Sequence, residues 1–98
     1  MPHSWDLNLA TNSNLKTLKA TNANISSITF AKGGLVEEVK VDSFSAISAV
    51  NLMNLQTFEV KSLAPVTKLR IENTPIISSD TFLEQCTSLL RLRLIGID

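Results

Sequence analysis

The chain of 98 residues has the length of one small domain, and its 44% of hydrophobic and 18% of charged residues are typical of a globular protein and exclude a disordered one. Nine basic and nine acidic residues give a formal net charge of zero, so the surplus positive charge that attracts nucleic acids and anionic membranes is absent. The single cysteine, Cys86, excludes an internal disulfide. We predict neither a specific nucleic acid nor a membrane as partner.

The first residues lack the basic start and the apolar run of a secretory signal peptide. The most apolar stretch, Leu89 to Ile97, is interrupted by Arg91 and Arg93 and is much shorter than the roughly 20 residues that span a bilayer. We therefore expect no signal peptide and no transmembrane segment in this chain, which suits the cytoplasm or a virus particle.

A short pattern, apolar-x-x-apolar-x-apolar, recurs along the chain. Its last two apolar positions are separated by one polar or small residue, which is the alternation of a strand with one buried face. Each match therefore predicts a short strand. In chain order the matches are centred on Leu18, Ile28, Val39, Val50, Phe58, Leu69 and Leu92, with a weaker one at Leu7.

Successive strand centres lie about 11 residues apart over most of the chain, so two strands fit in one repeat of about 21 residues. Alternate strands should then stack in two parallel ladders on opposite sides of a flattened solenoid of about four to five coils. Corners rich in Asn, Ser, Thr and Gly suit this path. We place Leu18, Val39 and Phe58 in ladder one, and Leu7, Ile28, Val50, Leu69 and Leu92 in ladder two.

The last interval between strand centres is longer, and its periodicity changes. Phe82, Leu83 and Cys86 recur at helical spacing behind a cluster of Ser and Asp residues that suits a helix N-terminus. We predict one short helix from about Asp80 to Thr87, in place of the ladder-one strand of the last coil. This spacing assigns Cys86 to the core, with a reactive thiol as the alternative.

The segments Leu15 to Ala20 and Leu89 to Leu94 carry motifs by which the chain resembles leucine-rich-repeat proteins over nearly its whole length. Its short, irregular coils are most similar to divergent repeats in large proteins of tailed bacteriophages and gut bacteria. The resemblance implies one leucine-rich-repeat domain over residues 1–98, of mainly β, α/β class. It also implies non-catalytic recognition or scaffolding. Asn is missing from the usual corner position, which argues against a regular asparagine ladder; that position holds Ala23, Phe44, Leu63, Thr74 and Ile97.

Residue types that carry catalysis are scattered. The only histidine, His3, has no second metal ligand at workable spacing, and we expect a solvated tail residue. Glu37 and Glu38 are neighbours on a strand and point to opposite sides, which disfavours a shared proton. Gly33 and Gly34 lack the spacing of a nucleotide-binding loop and suit a corner turn. We predict no catalytic residue, no metal site and no cofactor.

The predicted outer face of ladder one carries charges of both signs. Adjacent coils should place Lys40 beside Glu59 and Asp42 beside Lys61, which is typical of a solvated sheet face; a mixed-charge binding face is the alternative. On ladder two, the strand around Val50 should turn three small or uncharged residues outward. These are Ala49, Asn51 and Met53.

The C-terminal end of ladder two is basic. Lys68, Arg70, Arg91 and Arg93 fall within two stacked strands, a spacing that suits a phosphate, a sulfate or an acidic peptide held by forked guanidinium contacts. Like charges on stacked strands repel unless something offsets them. Two interpretations stay open: a face compensated by solvent or by acids of the next coil, and a contact with an anionic partner.

A solenoid needs caps, because its ends otherwise show open strand edges, and this sequence contains no clear cap. We therefore expect a segment of a longer protein whose adjoining repeats cover the ends, or self-association through them. The predicted function is a non-catalytic protein-interaction or scaffolding module rather than an enzyme. A structural component of a bacteriophage particle is the alternative.

Overall fold

The computed structural model describes residues 4–75 and 81–96. Eight short strands dominate this part of the chain, and each contains one of the predicted strand centres. A single helical turn, α1 (Thr81–Glu84), precedes the last strand. The strands are β1 (Trp5–Leu9), β2 (Thr17–Ala20), β3 (Ile25–Phe30), β4 (Glu38–Val41), β5 (Ala46–Val50), β6 (Thr57–Val60), β7 (Lys68–Glu72) and β8 (Arg91–Ile95).

The strands form two parallel sheets with the orders β1-β3-β5-β7-β8 and β2-β4-β6. The chain alternates between the sheets as far as β7, and β8 then joins the five-stranded sheet beside β7. Register keeps apolar residues in line, as in the row Leu18, Val39 and Phe58 of the three-stranded sheet. The predicted stacking of two parallel ladders in a solenoid-like, mainly β architecture is confirmed.

The core follows from the alternation of apolar and polar residues along each strand. Ile28, Val39 and Leu69 are almost completely buried, and they belong to one apolar cluster that draws on both sheets. Phe44, which the repeat pattern places at a corner, is also buried and packs edge to face on Phe58 with ring centroids 6.3 Å apart. Such a pair adds about 1 kcal/mol beyond the burial of its surface.

The residue predicted as the centre of β5 is wrong. Ile47, rather than Val50, pairs with Ile28 and Leu69, so Ile47 is the strand centre. Ala49 is therefore completely buried instead of facing outward. The other two residues expected on the outer face follow the strand and lie in the corner after it: Asn51 and Met53. The pattern failed because alanine fits either face, so Ala49 gave no sign of its orientation.

The predicted helix from Asp80 to Thr87 is not confirmed. Asp80 lies outside the described residues, and in the described part only the single turn α1 is helical. After α1 the chain makes tight turns, in which the Cys86 N–H donates to the Leu83 carbonyl at 3.1 Å. One isolated turn gains too few hydrogen bonds to propagate, since helix nucleation is unfavourable. Cys86 is buried at 6% exposure, as its assignment to the core predicted.

Asparagine and glycine make the corners that follow strands of the five-stranded sheet. Asn51 and Asn73 have φ of 58° and 49°, and Gly96 has φ of 69°. The Asn73 amide donates to the Asn51 side-chain oxygen at 3.0 Å, so two asparagines do stack, although away from the corner position where a regular ladder was considered. At that position Thr74 is buried, and its hydroxyl accepts the Leu52 N–H at 3.1 Å.

Candidate functional site

The four predicted basic residues lie together on the outer face of the five-stranded sheet. Parallel pairing of β7 with β8 sets Lys68 directly opposite Arg91 and Arg70 directly opposite Arg93. All four side chains are exposed, because they occupy outward positions of β7 and β8 that alternate with the inward-facing Leu69, Ile71, Leu92 and Leu94. We call this set, Lys68, Arg70, Arg91 and Arg93, the basic cluster.

One carboxylate of the same chain enters the basic cluster. Glu72 Oε2 accepts hydrogen bonds from Arg70 Nε at 2.6 Å and from Arg93 Nε at 3.2 Å. The hydrogen bond from Arg70, together with the charges of Arg70 and Arg93, holds the pKa of Glu72 below its usual value. The sequence contained the signal for this role, since Glu72 follows Arg70 by two residues and so shares its face of the strand.

Glu72 engages only one of the two rows of the basic cluster. The ion pairs within residues 4–75 and 81–96 include Arg70 and Arg93 but neither Lys68 nor Arg91. Lys68 and Arg91 nevertheless face each other across one strand spacing, where like charges repel. Within the described residues, Glu72 thus offsets the charges of Arg70 and Arg93, and those of Lys68 and Arg91 remain without an ion pair.

A depression of about 380 Å³ lies beside the basic cluster. It crosses β3, β5, β7 and β8, with the small side chains of Thr29, Ala46 and Ser48 at one end and the four cations at the other. The depression forms because the outward side chains on β3 and β5 are short, whereas those on β7 and β8 are long. We call it the basic groove.

The outer face of the three-stranded sheet is arranged differently. Glu38 lies 3.9 Å from Lys19 and 3.4 Å from Lys40, and Lys40 also lies 4.0 Å from Glu59, so the predicted pairing of Lys40 with Glu59 is confirmed. Asp42 lies beside Lys61, as predicted, because the N–H groups of Lys61 and Ser62 donate to the carbonyls of Val41 and Asp42. The ion pairs of the described residues do not, however, include the side chains of Asp42 and Lys61. The carboxylate of Asp42 instead accepts the backbone N–H of Asn22, at 2.8 Å.

No protein-family model, no curated protein and no solved structure matches this chain. The stacked parallel sheets are observed directly, whereas membership of the leucine-rich-repeat family stays a prediction. The function must therefore be inferred from the surfaces that the fold presents.

The remaining candidates are His3, Cys86 and the glycine turn at Gly33. His3 lies outside the described residues, and within the described ones no group of three or more His, Cys, Asp or Glu is placed to hold a metal ion. Burial raises the pKa of the Cys86 thiol, which opposes formation of the reactive thiolate. Gly33 takes φ of 74° in a turn, as predicted. Within the described residues, no helix is long and apolar enough to cross a membrane.

Proposed function

We propose that this chain is a non-catalytic interaction module of the leucine-rich-repeat kind, which binds an acidic, extended segment of a protein partner in the basic groove. The observation that carries the proposal is the charge imbalance of the basic cluster, in which Lys68 faces Arg91 and Arg70 faces Arg93 while Glu72 serves only the second pair. A carboxylate from a partner would relieve the repulsion between Lys68 and Arg91.

The shape of the groove favours a short peptide over a lone ion. It crosses four strands, which corresponds to about 14 Å at the usual strand spacing, or about four residues of extended chain. Ser48, which pairs with Arg70, and Thr29, one strand further from the cations, offer hydroxyl groups along the groove. A segment with acidic side chains at one end and polar groups at the other therefore matches the groove.

The groove is also preorganised. Its floor is a parallel sheet whose strands are held by backbone hydrogen bonds, including those from Leu90 and Arg91 N–H to the Thr67 carbonyl at 2.8 Å and 3.0 Å. Arg70 and Arg93 are already oriented by Glu72, and each keeps guanidinium N–H groups beyond the one that Glu72 accepts. Binding to such a surface loses little conformational freedom on the protein side.

The proposal is tested with a fluorescein-labelled hexaglutamate peptide, whose binding to the chain is followed by fluorescence anisotropy. We expect saturable binding that weakens as salt is added, and Lys68→Glu should weaken it by about tenfold. The matched control is Lys61→Glu, which makes the same charge change on the corner after β6 and should leave binding unchanged. Absence of saturable binding, or equal loss in both variants, would contradict the proposal.

A structural component of a bacteriophage particle is the second candidate. It is favoured by the outer edge of β8, where Leu92 and Ile95 are 47% and 41% exposed although their strand belongs to a packed sheet. Among the described residues β8 has no second neighbour in its sheet, and exposed apolar residues on such an edge are typical of surfaces that a neighbouring subunit covers. Loss of incorporation into particles when β8 is altered would support this candidate.

A further inference from the structure

The two outer strands of the five-stranded sheet carry complementary residues in the same register. Among the described residues, β1 and β8 each have one neighbour in this sheet, and each contains five residues. The residue pairs can be followed from strand to strand across the whole sheet. Three of the resulting rows are Asp6, Ser27, Ala46, Lys68 and Arg91; Leu7, Ile28, Ile47, Leu69 and Leu92; and Asn8, Thr29, Ser48, Arg70 and Arg93.

We propose that a second copy of this chain stacks head to tail on the first, with β1 of one copy pairing in parallel with β8 of the other. Continuing the register of the sheet across this junction places Asp6 opposite Arg91, Leu7 opposite Leu92 and Asn8 opposite Arg93. The five-stranded sheet thus becomes continuous between copies.

Charge complementarity identifies the second copy as the occupant of this edge. Arg91 faces Lys68 on its inner side and has no ion pair within the described residues, so a carboxylate on its outer side would relieve repulsion. Asp6 is exposed in the corresponding position of β1, where the hydroxyl of Ser27 donates to it and fixes its orientation. The chain is neutral overall, yet its two outer strands carry opposite charges in one row.

The apolar residues agree with the same register. Leu92 stands in an inward-facing row, but it is 47% exposed because nothing in the described residues covers its outer side. Leu7 occupies the same row at the other end of the sheet and is only partly buried against the core. A junction in this register covers both leucines and extends the core from one copy to the next.

The proposed junction joins two different edges, so it does not close on itself. A heterologous contact of this kind generates an open series of dimers, trimers and longer stacks, unless a rotation between copies closes a ring. The junction shares Arg91 and Arg93 with the basic groove, but Asp6 lies on β1 outside the groove, and Lys68 lies one strand away from the junction. Asp6→Lys therefore tests stacking and Lys68→Glu tests peptide binding.

The test is sedimentation velocity of the full chain over a range of concentrations. We expect species that grow with concentration beyond a dimer, and we expect Asp6→Lys and Arg91→Glu each to weaken association by about tenfold, which corresponds to reversal of one cross-strand charge pair. Lys61→Glu serves as the control and should associate as the unaltered chain does. Circular dichroism shows whether each variant is folded.

An equimolar mixture of the two variants makes the test stringent. In the mixture, the unaltered β8 of Asp6→Lys meets the unaltered β1 of Arg91→Glu, and the two reversed ends also complement each other, so association should return. If Asp6→Lys proves unstable through loss of the Ser27 hydrogen bond, Asp6→Asn keeps an acceptor and should weaken association less. A chain that stays monomeric, a mixture no better than its components, or Asp6→Lys stacking normally would overturn the inference.

Discussion

The outer faces of the two sheets share the same backbone arrangement but differ in how their charged side chains are placed. On the three-stranded sheet, Glu38 lies within ion-pair distance of both Lys19 and Lys40, and Glu59 adds a second acid to the stack. On the five-stranded sheet, the basic cluster sets cation against cation across β7 and β8. Parallel, in-register stacking is common to both, so the difference lies in the side chains alone.

The two faces differ in whether their own side chains balance the charges that they carry. Interleaved charges of opposite sign attract one another, and each exposed pair contributes about 0.2 to 1 kcal/mol to stability. Stacked cations lower stability, and among residues 4–75 and 81–96 the carboxylate that forms ion pairs with them is that of Glu72. Repulsion within the basic cluster lowers the free energy of unfolding, and a bound anionic partner would relieve that repulsion.

The largest expected effect comes from detaching β8, on which half of the basic cluster stands. Gly96 has φ of 69°, and a Cβ added there would collide with the Asn73 side chain. We expect Gly96→Ala to lower the free energy of unfolding by about 3 kcal/mol, from the left-handed backbone and the lost hydrogen bond between Asn73 and Asn51. Urea denaturation measures this change, and hexaglutamate binding should weaken with it.

Gly33 supplies the matched control, because it has φ of 74° but nothing within 4 Å of an added Cβ. Gly33→Ala should therefore lower the free energy of unfolding by only about 1 kcal/mol and leave peptide binding intact. Equal costs at the two glycines would show that the corner after β8 is not held by Asn73.

A smaller effect is expected from removing the carboxylate of the basic cluster. Glu72→Gln should lower the melting temperature by about 3 °C at pH 7, more than Glu38→Gln on the other sheet, because Arg70 and Arg93 are left facing each other. The measurement is a series of thermal melts by circular dichroism between pH 7 and pH 2.

The sign of the pH dependence follows from the lowered pKa of Glu72. A carboxyl whose pKa is lower in the folded chain than its ordinary value of 4.5 stabilises the fold above that value. This stability is lost as the pH falls through the folded pKa, so the gap between the unaltered chain and Glu72→Gln should close in acid. A gap that stays constant down to pH 2 would mean that Glu72 acts through packing rather than charge.

The alternation of apolar residues was sufficient to predict each strand of the described residues, both ladders and the proximity of Lys68, Arg70, Arg91 and Arg93. It failed where a residue suits two environments. Ala49 fits either face of β5, so the frame of that strand was set wrongly by Val50. The register between stacked strands also depends on the lengths of the corners that join them. The apolar pattern within one strand does not specify this register.

A hydrogen bond between a side chain and the backbone of a corner was also not predicted. Asp42 turns from Lys61 to the N–H of Asn22, which has φ of 56° and lies at a corner where the sheet provides no partner. A charge-assisted bond to such a donor outweighs an exposed ion pair. The role of Glu72, by contrast, follows from spacing alone and was open to prediction.

The most direct test of the contrast between the faces is to replace one lysine by glutamate on each sheet. The free energy of unfolding of each variant is then measured by urea denaturation at low salt. Lys68→Glu should raise the free energy of unfolding by about 0.5 kcal/mol, since it places an acid opposite Arg91. Lys40→Glu should lower it by about 0.5 kcal/mol, since it breaks the pairs with Glu38 and Glu59. Both changes should shrink in high salt. Equal signs at the two positions would contradict the account.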